Sequence, residues 1–356
     1  MLKTTQYVPV LKWRQGEYQA LFRLDAAVKD RIVPLIEVTP PEWDFELAKQ
    51  AKSIDEHLVK FAPRLKQKWG ERLAYLYAGH IPDGQTMADG SHPVTYLLDS
   101  ARAEGGRLIP VTTLTRPATF QNAVKNAIAV DGRGFALRCG LEELTDPDFS
   151  NNLATLCAIL GTSLSNVDVI LDLGAPAFQS GFAHMISAVI NYTPALSAVR
   201  NLVVVATAFP EQFKAVPTLL VTFPRREWDL YKEIIGLAPA RIPVFGDYAI
   251  AVPELVSGDM RLLKPSATVR YATNGAWIIA KGTNVRDNGF GQFQNCCAAI
   301  RKDAAYLGPS YSPGSQYIAD CSVGTVSTGN LTTWRWVGTN HHITKIVDDL
   351  ANFHVP

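Results

Sequence analysis

Three features of this sequence predict an α/β fold closed into a parallel barrel. Eight short apolar runs recur along it: Tyr7–Lys12, Ile32–Val38, Leu73–Gly79, Leu108–Leu114, Gly134–Gly140, Val167–Gly174, Leu202–Thr207 and Ile242–Asp247. They are rich in Val, Ile and Leu without strict alternation, as strands buried on both faces require. Each is followed by a segment that reads as helix or loop, and eight such units make a (β/α)8, TIM-type barrel. Five runs carry a charged residue at the C-terminal end, namely Lys12, Glu37, Arg138, Asp172 and Asp247. Barrels of this kind keep their active sites there.

The elements follow in order. After the first run, Ala20, Leu21, Leu24, Ala27 and Val28 form an apolar stripe at helical spacing. Pro40 and Pro41 punctuate the exit of the second run, and a polar helical stretch extends from Asp44 to Trp69. The third run ends in Gly79-His80; a loop with Pro82, Asp83 and Gly84 leads to a helix over Thr95–Glu104. Pro117 suits the first turn of the next helix, where its missing N–H would be unpaired anyway. Asp131-Gly132-Arg133-Gly134 turns into the fifth run, and helices over Asp148–Leu160 and Pro176–Ile190 follow the fifth and sixth. Glu211–Leu237 reads as helical with breaks at Pro217 and Pro224, before Ile242–Asp247 closes the count.

Residues 1–250 are therefore assigned to the barrel core, and residues 251–356 to a C-terminal α+β elaboration packed on it. In the latter, Thr268–Tyr271 and Trp277–Lys281 flank Asn274-Gly275, a strong hairpin signal. Phe290–Tyr306 reads as a helix and Leu307–Gly329, rich in Gly, Pro and Ser, as a loop. Leu331–Val337 reads as a strand and Thr344–Phe353 as a closing helix.

Composition narrows the class. The chain has 356 residues, 47% hydrophobic and 19% charged, the make-up of an ordinary globular protein. A net charge of +1 provides no global field for nucleic acid or an anionic membrane. Met1–Arg14 holds no apolar core of signal-peptide length. No stretch approaches the roughly 18 apolar residues of a membrane span. Cys139, Cys157, Cys296, Cys297 and Cys321 show neither a CxxC pair nor zinc spacing, so reduced thiols in a cytoplasmic protein are expected.

Strand alternation orients the terminal charges. If Asp172 faces the barrel axis, so do Ile170 and Asp168; Glu37 groups with Leu35 and Val33, Lys12 with Val10 and Val8, Arg138 with Ala136, and Asp247 with Phe245. Three carboxylates, a lysine and an arginine would then share one funnel. Glu37, Asp172 and Asp247 could hold Mg²⁺ or Mn²⁺ or act as general base, and Lys12 and Arg138 could hold a phosphate. The same set could instead form a mutual salt-bridge network that only closes the barrel top. Further along, Asn340 could cap the last helix, placing His341 and His342 in its first turn as candidate proton donors or acceptors. Arg335, on the strand before, could add a cation.

The opening Tyr7-Val-Pro-Val-Leu-Lys12-Trp-Arg-Gln-Gly-Glu17, followed by Ile32-Val-Pro-Leu-Ile-Glu37-Val, resembles the phage and bacterial beta protein family of T4 type. The ending Trp334-Arg335…Gly338…Asn340-His341-His342-Ile343 resembles that family's C-terminus. The resemblance implies a role in phage–host conflict and identifies no reaction. Where the family's later loop often reads Ser-Trp-Gly-Asp, this chain has Ser312-Pro313-Gly314-Ser315, without the acidic residue.

Two functions are open on this reading. In one, the mouth binds and hydrolyses a phosphate-containing ligand, a small molecule or nucleic acid, as a metal-dependent phosphodiesterase or other hydrolase. In the other, the chain is a non-catalytic antitoxin or sensor that binds the protein product of a neighbouring gene through the tail from Tyr248 onward. Neither requires a membrane.

Overall fold

Residues 1–210, 219–255, 259 and 262–353 are described in the computed structural model. Strands β1 (Tyr7–Lys12), β2 (Leu35–Glu37), β3 (Leu73–Tyr77), β4 (Arg107–Thr112), β5 (Phe135–Cys139), β6 (Val167–Asp172) and β7 (Asn201–Ala206) coincide with the first seven apolar runs. An antiparallel strand, β8 (Leu220–Pro224), intervenes before β9 (Val244–Asp247), which matches the eighth. The ring runs β1-β9-β7-β6-β5-β4-β3-β2 and closes on β1, with every pairing parallel. This is the expected (β/α)8 barrel.

The barrel closes because both strand faces are apolar. Val8, Val10, Leu35, Tyr75, Ile170 and Val203 fill the interior. Tyr7, Leu11, Ile36, Leu76, Leu171 and Val204 face outward into a second layer shared with the surrounding helices. Each fully buried Val, Leu or Ile contributes roughly 1.5–3 kcal/mol of transfer free energy.

The remaining strands form a sheet beside the barrel. β10 (Ser266–Ala272) and β11 (Ala276–Asn284) make the expected hairpin, and β8 joins the free edge of β11. Part of the segment read as helical, Glu211–Leu237, is therefore strand: β8 precedes a helix at Arg226–Gly236, while residues 211–218 lie outside the described residues. The stretch Asp44–Trp69 also differs from expectation. It opens with a short ribbon, Trp43–Asp44 against Lys49–Gln50, before helices at Ile54–Leu58 and Phe61–Lys68.

After β11 and one helical turn at Val285–Asn288 come the longer helices Gln292–Lys302, Pro313–Val323 and the closing helix Leu331–Asn352. Pro313–Val323 lies in the segment read as a loop, started by Ser312, whose hydroxyl accepts from the Ser315 N–H. Leu331–Val337, read as a strand, is the first third of the closing helix. Asn330 starts it: its side chain accepts from the Thr333 N–H, and the Thr333 hydroxyl accepts from the Asn330 N–H. The aromatic run Trp334-Arg335-Trp336-Val337 favours a strand locally, but packing decides otherwise. Trp334 stacks on Phe293 with centroids 4.6 Å apart. A Cβ on Gly314 would lie 2.3 Å from the Val337 carbonyl oxygen, so glycine there lets two helices touch backbone to side. Further along, Ile343, Ile346, Val347 and Leu350 join the apolar layer around the barrel.

All five cysteines are buried and free. Among the described residues, no helix is long and apolar enough to cross a membrane.

Candidate functional site

Four of the five expected charges face the barrel axis. Lys12 pairs in register with Glu37, and Glu37 with Tyr77, so three neighbouring strands present side chains at one height. Arg138 reaches into the centre from β5. Its Nε donates to Asp172 Oδ2 at 2.8 Å, one terminal nitrogen to Glu37 Oε1 at 2.7 Å, and the other to the Tyr248 hydroxyl at 2.8 Å. Tyr248 donates in turn to Asp172 Oδ2 at 2.6 Å. The guanidinium also lies over the Tyr77 ring, 4.7 Å from its centroid.

Arg138 therefore sits between the two carboxylates as their counter-ion. Among the described residues, no three His, Cys, Asp or Glu side chains converge as a metal site would require. The expected triple carboxylate set is not assembled, because a guanidinium occupies the space between Glu37 and Asp172 and Asp247 points elsewhere.

The network is closed except at one corner. Glu37 is fully buried, yet its Oε2 has no hydrogen-bond partner. His80 Nε2 lies 3.3 Å from Glu37 Oε1, too poorly directed to count as a hydrogen bond, and it too is unpartnered. Burial pushes the Glu37 carboxyl up, but the His80 contact and the Arg138 charge outweigh it and hold the group below its ordinary value. Glu37 is thus an ionised carboxylate with a vacant acceptor oxygen. Around it the side chains of Arg138, Asp172 and His80 are 13%, 12% and 22% exposed.

Lys12 faces inward but leans to the rim. Its ammonium donates to the carbonyls of Val252 and Glu254 at 2.7 and 2.6 Å. Arg335 donates to the carbonyl of Ile250, on the same loop. It does so from the closing helix, not from a strand as expected. Burial lowers the Lys12 pKa, and the positive charge of Arg335 adds to that effect. Beside the mouth, over the ends of β1 and β2, lies a concavity of about 560 Å³ that includes Trp13, Thr39, His57, Lys60 and Arg64.

Asp247, His341 and His342 do not join the mouth. In β9 Val244, and just past it Tyr248, are interior, which leaves Phe245 and Asp247 on the outer face. The expected grouping of Asp247 with Phe245 holds, but on the opposite side of the wall. Asp247 accepts from the Tyr7 hydroxyl, the Ala249 N–H and His342 Nε2. Trp277 donates to His342 Nδ1, so the proton of that ring is on Nε2 and goes to Asp247. His341 Nε2 faces the Ala272 carbonyl at 2.8 Å, and its Nδ1 faces the hydroxyls of Ser312 and Ser315. Its ring stacks on Tyr271 with centroids 3.8 Å apart. Both imidazoles lie mid-helix and wholly buried, because the helix starts at Asn330. Asn340 is no cap: it accepts from the Gly314 N–H and donates to the Ala20 carbonyl.

Three mouth residues escape the strand-end reading. Tyr77 is an inward residue inside an apolar run, Tyr248 lies one position past a run, and His80 follows the turn residue Gly79. The run Val244-Phe245-Gly246 is apolar on both faces, so alternation alone could not say which side Asp247 would take.

The sequence pattern of the Beta protein family matches residues 7–348, nearly the whole chain. The chain belongs to the Beta protein family. No curated protein matches it. Among solved structures it is similar to a mutant tryptophan synthase alpha-subunit from the hyperthermophile Pyrococcus furiosus, at 12% identity and a TM-score of 0.40. That alignment covers 70% of this chain and 89% of the other. It is also similar to triosephosphate isomerase from Bartonella henselae, at 13% identity and a TM-score of 0.36, covering 69% and 93%. The fold assignment of this Beta-family chain rests on the closed ring of eight strands, not on these likenesses.

Proposed function

We propose that this Beta-family protein binds a small phosphate-containing ligand at the C-terminal mouth of its barrel and works on it through Glu37. The observation that carries the reading is the vacant Glu37 Oε2, a buried charged oxygen with no partner. Leaving such an atom unpaired costs about 1–3 kcal/mol or more, and native sites tolerate that where a ligand or water completes the network. A ligand hydroxyl, or the attacking water of a hydrolysis, would donate to this oxygen. His80, against the other oxygen, would relay the proton.

Arg138 is already neutralised by two carboxylates, so Lys12 is the better phosphate holder, with Arg335, 3.8 Å from Glu17, beside it on the 250–254 loop. The neighbouring concavity, with the Trp13 ring, Lys60 and Arg64, offers room for the organic part. A divalent ion could enter with the phosphate, bound through water and ligand oxygens. The family resemblance is the support for placing this activity in phage–host conflict. Calorimetry with a panel of nucleotides and sugar phosphates, with and without Mg²⁺ or Mn²⁺, tests the reading. Glu37→Gln and Lys12→Ala should weaken binding or abolish turnover; wild-type protein that binds no member of the panel would overturn it.

A protein partner is the second reading. It is favoured by Trp43, Phe45 and Leu47, which stand 51%, 48% and 62% exposed on the short ribbon after β2. A pull-down with the products of neighbouring genes, repeated with Trp43→Ser, tests it; capture unaffected by that change counts against the ribbon.

A further inference from the structure

We propose that the opposite, N-terminal end of the barrel carries a second site, a receptor for a small compact polyanion of the oligophosphate class. A concavity of about 530 Å³ opens there, the size of a small-molecule pocket rather than a nucleic-acid groove. Lys29, Arg72, Arg107, Arg133 and Arg200 line it, against two carboxylates, Asp30 and Asp168. The whole chain carries only +1, so this excess is local.

The hydrogen bonds show which charges are spent. Asp168 is fully buried and saturated: Arg200 grips both its oxygens at 2.7 Å, with Asn201 and the Tyr75 hydroxyl completing the set. Together they form an inert floor. Above it, Arg72 is paired with exposed Asp30. Arg133 reaches Asp131, but that carboxylate also serves Arg102. Lys29 donates to the Phe22 carbonyl and, among the described residues, forms no ion pair with a carboxylate. Arg107 is exposed and, among the described residues, makes no hydrogen bond or ion pair. Burial chiefly, with the charge of Arg72, lowers the Lys29 pKa against the opposing pull of Asp25. Guanidinium forks match phosphate oxygens in geometry, and a concave wall of one sign concentrates the counter-ion.

Inorganic tripolyphosphate, titrated calorimetrically at low salt, is the test. Wild type should bind it in a salt-sensitive manner, with a component that survives in Lys12→Ala. Arg107→Glu and Lys29→Glu should each weaken it by about tenfold or more, with circular dichroism showing an unchanged fold. Lys302→Glu, an exposed charge on the helix Gln292–Lys302 that lines neither end of the barrel, should leave the affinity as it was. No binding by wild type, or a loss seen in Lys302→Glu and absent from the two reversals, would overturn the proposal. So would a nucleic-acid strand that binds where tripolyphosphate does not.

Discussion

Glu37 and Arg138 lie 101 residues apart in the chain and meet at 2.7 Å inside the barrel mouth. One carboxylate oxygen takes the guanidinium and the other takes nothing. A purely structural ion pair would satisfy both oxygens, as Asp168 and Arg200 do at the other end. The two ends thus show the same chemistry finished in one place and left open in the other.

Arg138 holds two carboxylates and a phenol, so its removal strands buried charge. Arg138→Met should destabilise the fold by about 3–5 kcal/mol, the cost of breaking a buried pair from one side. Glu37→Gln should cost much less, because the amide oxygen still accepts from Arg138. Urea denaturation of both variants at neutral pH checks the order. Equal losses would mean that Glu37, not the arginine, anchors the network.

The closing helix separates two asparagines that look alike in sequence. Asn330 caps an exposed end, and Asn330→Ala should cost about 1 kcal/mol. Asn340 is wholly buried and bonds both Gly314 and Ala20. Asn340→Ala leaves an N–H and a carbonyl unpaired, at about 1–3 kcal/mol each, and should be clearly the worse of the two. Thermal melts of the two variants decide it.

Asn340 also marks where the sequence could and could not be read. The eight strands were legible because β-branched runs of the right length recur between polar segments. Lys12, Glu37, Arg138 and Asp172 were legible because alternation ties each to small or branched interior neighbours. The tail was not, because Trp334 and Trp336 carry a local strand preference that only tertiary packing against Phe293 and Tyr317 overrides. Because the helix starts ten residues earlier than that reading, His341 and His342 lie in the core and not in a first turn.

His341 makes stability fall in acid. Burial, opposed only in part by its bond to the Ala272 carbonyl, pushes its pKa from 6.5 down to about 3. The unfolded chain therefore binds a proton that the native state refuses between those two values. Stability rises with pH across that window and is lost as pH falls through it. From pH 6.5 to pH 4.5 the loss should be about 2–3 kcal/mol. His341→Gln removes the titration, so its urea midpoint should change less over that range than wild type. Identical slopes would mean that the buried ring is protonated in the native state.

Glu227 acts with the opposite sign. It lies wholly buried on the outer side of the barrel wall, and its carboxyl accepts from the Ala208 N–H. Burial raises its pKa from 4.5 to about 8, and the charge of Asp247 adds to this, while Arg225 pulls the other way. The Arg225 Nε stands 3.7 Å from Glu227 Oε1, beyond hydrogen-bond reach, so it does not hold the carboxylate charged. Between those pH values the native state keeps a proton that the unfolded chain releases, and stability falls as pH rises. Glu227→Gln keeps the acceptor for Ala208 without the titration. Relative to wild type it should therefore gain about 2–4 kcal/mol between pH 5 and pH 8.5. Urea midpoints at the two pH values measure this directly. A variant that instead loses ground at pH 8.5 would mean that Arg225 and an ionised Glu227 form a working pair.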